Sequence, residues 1–243
     1  MKTFGLTDKG KIRQENQDSF LIEQLGGDCL VAVLCDGMGG VQGGRVASEL
    51  AAKVFAEHLT QRLQQMKSRI RLKQHILSSV SHANGIVYNY SFFDPAFTGM
   101  GTTLVAAVCR NGRATVVNIG DSRAYHIARK RVRQITRDHS LVEDMIDRGT
   151  LTRAQAKSHP RRNIITRALG VEPEVEADVF ELKLSKGERL LLCSDGLSNL
   201  VDETQILEQS LAAADPETMC RSLMAMALER GAADNVTIVV LEK

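Results

Sequence analysis

No two cysteines in this chain are spaced as Cys-x-x-Cys, no apolar run exceeds seven residues, and neither sign of charge dominates. Each absence excludes something. The five cysteines are Cys29, Cys35, Cys109, Cys193 and Cys220, an odd number, most of them inside apolar runs. A disulfide framework and a zinc site are both disfavoured, and reduced core thiols of a cytoplasmic protein are expected instead. The longest apolar run is Cys29–Cys35, far short of the ~20 residues that a membrane-spanning helix needs. Met1 to Lys11 holds no apolar stretch of signal-peptide length, so no membrane partner is expected. Thirty-one basic against 29 acidic residues leave a formal charge of +2, which gives no support to a nucleic-acid-binding face. Glycine and proline together make 19 + 4 = 23 of 243 residues, below the roughly 25–30% of low-complexity chains. What is present is 43% apolar residues. That is enough for one sizeable core, and a single domain spanning 1–243 is expected.

Periodicity divides the chain into strands and helices. Thr3–Thr7, Ser19–Ile22 and Cys29–Cys35 read as strands, the last apolar on both faces. A glycine-dense turn follows at Asp36-Gly37-Met38-Gly39-Gly40 and Gly43-Gly44. Apolar residues then recur at three and four residues, which predicts a long helix over Arg45–Met66 and a second through Ile76, Val80, Ala83 and Val87. Thr102–Arg110 and Ala114–Ile119 flank Asn111-Gly112, a hairpin signal. Arg123–Ala128 and Val132–Thr136 flank the basic tip Arg129–Arg131, and together these four strands read as an antiparallel meander. Asp138–Gly170 is polar, basic and locally helical, as for an inserted flap. Strands resume at Ala177–Leu184 and Arg189–Ser194. Helices are expected near Glu203–Ala213 and Pro216–Arg230, and a last strand at Asn235–Leu241. Helices in pairs and strands between them predict an α+β fold. Its economical form is a four-layer α/β/β/α sandwich, with two antiparallel sheets flanked by helix pairs and the terminal strands sharing a sheet.

The chemistry-bearing residues are aspartates at strand ends. Asp36, Asp121 and Asp195 each follow an apolar strand, Asp234 immediately precedes one, and Asp18 opens one. Carboxylates converging on one place repel one another and stay ionised only if a positive charge neutralises them. Oxygen donors of this kind suit Mg²⁺ or Mn²⁺, and no histidine or cysteine pattern competes for a softer metal. The glycines before the first helix lack the Gly-Lys-Ser/Thr or Gly-x-Gly-x-x-Gly of a nucleotide loop.

Six motifs occur in order: Arg13-Gln14-Glu15-Asn16-Gln17-Asp18, Asp36-Gly37-Met38-Gly39-Gly40, Gly101-Thr102-Thr103, Asn118-Ile119-Gly120-Asp121-Ser122-Arg123, Ser194-Asp195-Gly196 and Asp234-Asn235. With this series the chain resembles the bacterial metal-dependent, type 2C serine/threonine protein phosphatases, from Gly5 to Val240. The resemblance implies hydrolysis of phosphoserine and phosphothreonine by a hydroxide bridging two Mg²⁺ or Mn²⁺ ions. It implies that Asp36 bridges the ions and the Gly37 carbonyl binds one of them. Asp195 and Asp234 match ligands of the second ion, and Asp18 an acid acting through water. Asp121 with Asp195 matches a third, weaker site. Arg13 matches the arginine that grips the substrate phosphate, and Asn235 matches a neighbour that orients Asp234. The segment Asp138–Gly170 matches the family's flap, where Arg161 and Arg162 are candidates for contacting the phosphoprotein. Two metals ~3.5–4 Å apart can generate hydroxide near neutral pH, and a planar guanidinium can donate two bonds to a phosphate.

Two departures matter. Met38 stands where eukaryotic relatives carry histidine, and Gln17 where many carry glutamate. Methionine cannot deliver a proton, so water is expected to be the acid, with His139 as the competing candidate. The implied partners are phosphoprotein substrates and a cognate Ser/Thr kinase, with the enzyme itself a monomer. Two other readings stand beside this one: a catalytically weak phosphoprotein-binding sensor on the same fold, and a small-molecule phosphatase.

Overall fold

The alternation of buried residues along the central strands dictates the layering. In the computed structural model, which describes residues 1–26, 28–65 and 71–243, β3 (Leu30–Met38) is buried on both faces. Leu30, Ala32 and Leu34 point one way and Val31, Val33 and Cys35 the other. The first set meets Leu190, Leu192, Val239 and Leu241 of a second sheet. The second set meets Ala47, Ala51, Phe55 and Leu59 of a helix. A strand covered on both sides must be apolar throughout, which is the pattern seen here.

Two antiparallel sheets result. One has the order β1 (Lys2–Asp8), β11 (Val236–Glu242), β10 (Arg189–Cys193), β7 (Arg123–Ala128), β8 (Arg131–Gln134). The other runs β2 (Asp18–Gln24), β3, β5 (Leu104–Arg110), β6 (Arg113–Ile119), β9 (Asp178–Lys183), with the two-residue β4 (Gly101–Thr102) beside β3. Helices α1 (Gly40–Gln65) and α2 (Leu72–Phe93) cover the outer face of the second sheet. Helices α6 (Glu203–Ala212) and α7 (Pro216–Glu229) cover the first, with Met219 and Leu223 packed on Leu191, Ile238 and Val240. This is the expected four-layer sandwich, and the terminal strands β1 and β11 are paired along their whole length.

Three local expectations are corrected. The glycine-dense segment is not all turn, because α1 begins at Gly40, five residues before the expected start. The glycines permit it. A Cβ on Gly37 would lie 1.9 Å from the Gly44 carbonyl oxygen, so only a side-chain-free strand end can pass against the first turn of α1. The far end of the expected helix, Met66, lies outside the described residues.

The four strands from 104 to 134 are not one meander. The two hairpins exist, but β5–β6 belongs to one sheet and β7–β8 to the other. The three residues 120–122 carry the chain across the sandwich. A short link joins antiparallel neighbours when both strands lie in one sheet; here Gly120, at φ +96°, lets the chain turn out of it. Finally, a four-residue helix, α5 (Asp195–Ser198), follows β10 where no helix was expected. The segment 138–170 contains α3 (Leu141–Asp147) and α4 (Arg153–Lys157) and returns to the body through backbone pairing of Leu169 with Thr102.

Candidate metal centre and active-site cleft

The two sheets open at one end, where β2, β3 and the 120–122 crossover meet the ends of β10 and β11. A cleft of about 570 Å³ lies there, and its walls include Arg13, Asp36, Gly37, Asp121, Asp195 and Asp234. Six of the residues picked out in the sequence are thus brought together from five separate places in the chain. Asp18 lies behind them. It sits opposite Asp36 in the β2–β3 ladder and is 7% exposed.

Each carboxylate is held by its own element. The backbone of Asp36 is locked to the strand beyond it: its N–H donates to Thr103 Oγ1 (2.9 Å). Its carbonyl accepts from the Thr103 N–H and the Thr102 Oγ1, each at 2.9 Å. Thr103 Oγ1 is 2.7 Å from Ser122 Oγ, which ties the crossover bearing Asp121 to the same strand end. Asp18 Oδ2 accepts from Ser194 Oγ (2.8 Å), just past the end of β10, and from Thr237 Oγ1 (2.6 Å) of β11. Its Oδ1 is buried with no hydrogen-bond partner. Asp195 opens α5, whose Gly196 packs so closely on the Asn235 carbonyl that a Cβ would come within 2.0 Å of it.

Asn235 does more than adjoin Asp234. Its Oδ1 accepts from the Gln17 N–H (2.8 Å), and its Nδ2 donates to the Lys9 and Glu15 carbonyls, each at 2.9 Å. It therefore pins the loop that carries Arg13. Arg13 Nη2 donates to Asp234 Oδ2 at 2.8 Å, a half-exposed ion pair that points the guanidinium into the cleft.

The electrostatics are those of crowded, dehydrated negative charge. Burial raises Asp18 to about 7, against the pull of Thr237 and Ser194, and Asp195 and Asp234 add to the rise. Burial, then Asp195 and Asp138, raises Asp121 to about 7. Burial and then Asp234 raise Asp195 to about 6, although a hydrogen bond with Asp36 offsets part of that. Asp36 is driven well above the carboxylate range by burial and by four other aspartates. Two carboxyl groups approach within hydrogen-bonding reach only when a proton or a cation lies between them.

Among the described residues, no three His, Cys, Asp or Glu side chains already stand at the spacing of a closed metal site. The donor set nevertheless fits hard divalent cations: it is all oxygen, it is rich in negative charge, and it includes one buried carboxylate oxygen with nothing to bind.

Two candidates fall elsewhere. Arg161 and Arg162 do not line the cleft; residues 163 and 165 of the same segment, Asn163 and Ile165, do. Arg162 Nη1 turns back to the Lys157 carbonyl (3.1 Å). His139 is buried away from the cleft. Its Nδ1 accepts from the Gly120 N–H (3.1 Å), while Nε2 faces Asp178 (3.3 Å) and Arg167 (3.2 Å). Both nitrogens are engaged in holding the segment to the crossover.

Sequence reasoning gave no role to Thr103, Ser122, Ser194 or Thr237. Three of the four lie inside the quoted motifs, so their positions were visible, but hydrogen bonds between sheets leave no periodic mark.

Comparison with known proteins decides the family. The description "Protein phosphatase 2C" matches residues 11–229. This chain belongs to the protein phosphatase 2C family. It is 34% identical over 237 residues to the serine/threonine phosphatase stp of Listeria monocytogenes, covering 98% of this chain and 94% of that protein. The solved structure of the serine/threonine phosphatase Stp1 from Staphylococcus aureus superposes with a TM-score of 0.92 at 32% identity, covering 100% of this chain and 95% of that one. The catalytic domain of the serine/threonine phosphatase PstP, solved in complex with two manganese ions, gives a TM-score of 0.85 at 33% identity, with 99% and 97% covered. The chain is accordingly a protein serine/threonine phosphatase of a metal-dependent family, with phosphoproteins as substrates. No described helix is long and apolar enough to cross a membrane.

Proposed function

We propose that Asp36, Asp195 and Asp234, with Asp18 behind them and the Gly37 carbonyl beside them, hold two Mg²⁺ or Mn²⁺ ions, and that Asp121 with Asp195 holds a third more weakly. The observation that carries this reading is the buried, mutually repelling carboxylate cluster in the cleft, whose nearest cations are Arg13 and Arg123. Such a cluster requires either protons or metal ions at neutral pH. When bound, the ions supply charge neutralisation and a water acidic enough to act as nucleophile near pH 7.

The chain's own residues do the rest. Asp36, fixed through Thr102 and Thr103 at the end of β3, sets the centre of the site. Arg13, aimed by the Asn235-pinned loop, offers its planar fork to the phosphate of the substrate and offsets the charge on its equatorial oxygens. Its ion pair with Asp234 is exposed enough to exchange for that phosphate. Met38 and Ile165 line the cleft without a proton to give, and His139 faces elsewhere, so the leaving serine or threonine oxygen takes its proton from water in the cleft. Arg161 and Arg162 stand outside the cleft wall, where they contact the protein part of the substrate. Their replacement by alanine is expected to slow phosphoprotein turnover more than that of p-nitrophenyl phosphate. The enzyme acts as a monomer and opposes a cognate Ser/Thr kinase.

The test is hydrolysis of a phosphothreonine peptide with Mn²⁺, then with excess EDTA, then with Mn²⁺ restored. Loss and recovery of turnover are expected. Full turnover in EDTA would remove the metal from the mechanism.

A further inference from the structure

From Arg148 to Val171 the chain carries six basic residues, Arg148, Arg153, Lys157, Arg161, Arg162 and Arg167, and not one acid. The molecule as a whole has a formal charge of +2, so this density on one surface segment is local. The acids that precede it are already engaged. Asp144 and Asp147 pair with Arg137, and Glu143 pairs with Arg153. At the other end Arg167 reaches Asp178 and Glu176. The next acids, Glu172 and Glu174, lie where the chain is tied to α2 by Asn84 Nδ2, which donates to the Glu172 and Pro173 carbonyls at 3.0 Å. No described carboxylate pairs with Arg148, Lys157, Arg161 or Arg162, and all four are exposed. Arg162 folds back onto the Lys157 carbonyl. One residue further on, Asn163 enters the wall of the cleft, followed by Ile165.

The opposite charge fills the cleft floor, and the segment that carries the uncompensated cations supplies Asn163 and Ile165 to the cleft wall, so this segment forms a basic rim on that side. A peptide that delivers its phosphate to the centre must lay its neighbouring residues across the rim. Charge complementarity of this kind steers association and selects partners.

We propose that this rim receives acidic side chains flanking the phosphorylated residue, so that the enzyme prefers phosphosites set in acidic sequence. The proposal rests on the reading of the cleft as the site of phosphate hydrolysis. The rim then acts on capture, through kcat/KM, and not on the chemistry of the phosphorus.

The test compares two phosphothreonine peptides of equal length, one with Asp and Glu flanking the phosphate and one with Asn and Gln in their place. p-Nitrophenyl phosphate serves as a substrate without flanks. At low salt the acidic peptide is expected to have a kcat/KM about fivefold to tenfold higher, the size that several exposed ion pairs supply together. In ~0.5 M NaCl, where screening acts within a few ångströms, the advantage is expected to vanish. The double variant Arg148→Glu/Lys157→Glu is expected to lose or reverse the preference while hydrolysing p-nitrophenyl phosphate at the wild-type rate, which also shows that it is folded.

Equal kcat/KM for the two peptides at low salt would overturn the proposal, and so would a preference that the double variant and salt leave untouched. Turnover of p-nitrophenyl phosphate with neither peptide hydrolysed would instead overturn the phosphopeptide reading of the cleft, and the proposal with it.

Discussion

Asp36 is the residue on which the others converge. Its pKa is raised by burial and by Asp18, Asp195, Asp121 and Asp234 together, so its charge calls for a cation. Asp36→Asn removes that charge and keeps the shape. Turnover of a phosphothreonine peptide is expected to fall by more than about a hundredfold, beyond what loss of an outer-shell partner usually costs. Isothermal titration with Mn²⁺ is expected to show weaker binding. Activity at the wild-type level would show that Asp36 bridges nothing.

Asp18 offers a second, subtler test, because its hydroxyl donors come from the opposite half of the sandwich. Thr237→Val removes the 2.6 Å donor and leaves a buried carboxylate oxygen less satisfied. A cost of about 1–3 kcal/mol in unfolding free energy is expected, measured by urea denaturation without metal. Mn²⁺ affinity is expected to drop roughly tenfold as Asp18 loses its orientation. A variant that loses stability but binds Mn²⁺ unchanged would mean that Asp18 serves the fold alone.

At the scale of elements, the crossover and the inserted segment form one unit. Arg123, directly after the crossover, donates through Nε to Oδ1 of Asp138 (3.0 Å) and through Nη2 to its Oδ2 (2.7 Å), and Gln134 donates to the same carboxylate at 2.9 Å. His139 clasps Gly120 through its own N–H and its Nδ1. The root of the segment is thus bolted to the residues on either side of Asp121. Asp138→Ala leaves the mostly buried Arg123 without its partner, and about 3 kcal/mol of stability is expected to be lost. By the ordinary scaling for a chain of this length, the melting temperature falls by roughly 6–12 °C. A change under about 2 °C would show that the clamp carries little.

This is also where the sequence was least legible. Asp121 was visible as an aspartate after a strand, but a short link between two hairpins looks the same whether it stays in one sheet or crosses to another. The crossing depends on which sheet Arg123–Ala128 finds to pair with. That partner is β10, more than sixty residues later in the chain.

At the scale of the whole molecule, the cleft is a seam between two sheets, and metal binding should tighten it. Any ligand that binds only the folded state stabilises it by mass action. At a concentration a hundred times the dissociation constant the gain is about 2.7 kcal/mol, or roughly 5–10 °C in melting temperature. Mn²⁺ is expected to raise the melting temperature of the wild-type protein by this amount, EDTA to abolish the rise, and Asp36→Asn to blunt it. A metal-independent melting temperature would mean that the carboxylates do not hold an ion across the seam.

What the sequence determined by itself was the set of elements and the chemistry. Period-2 and period-3.6 patterns are local, so β3, α6 and α7 could be read within a few residues, and strands apolar on both faces demanded cover on both sides. The order of six short motifs pointed to Arg13 and to the aspartates, which lie at or beside strand ends, where local pattern is easiest to read. Tertiary structure decided the rest. It set the early start of α1, which depends on Gly37 and Gly44 packing against each other. It sent the 120–122 link across the sandwich, gave Asn235 its grip on the Arg13 loop, and turned His139 away from the cleft while Asn163 and Ile165 turned in. Each of these depends on contacts between residues far apart in the chain, and no spacing along a sequence encodes which distant backbone group a side chain will meet.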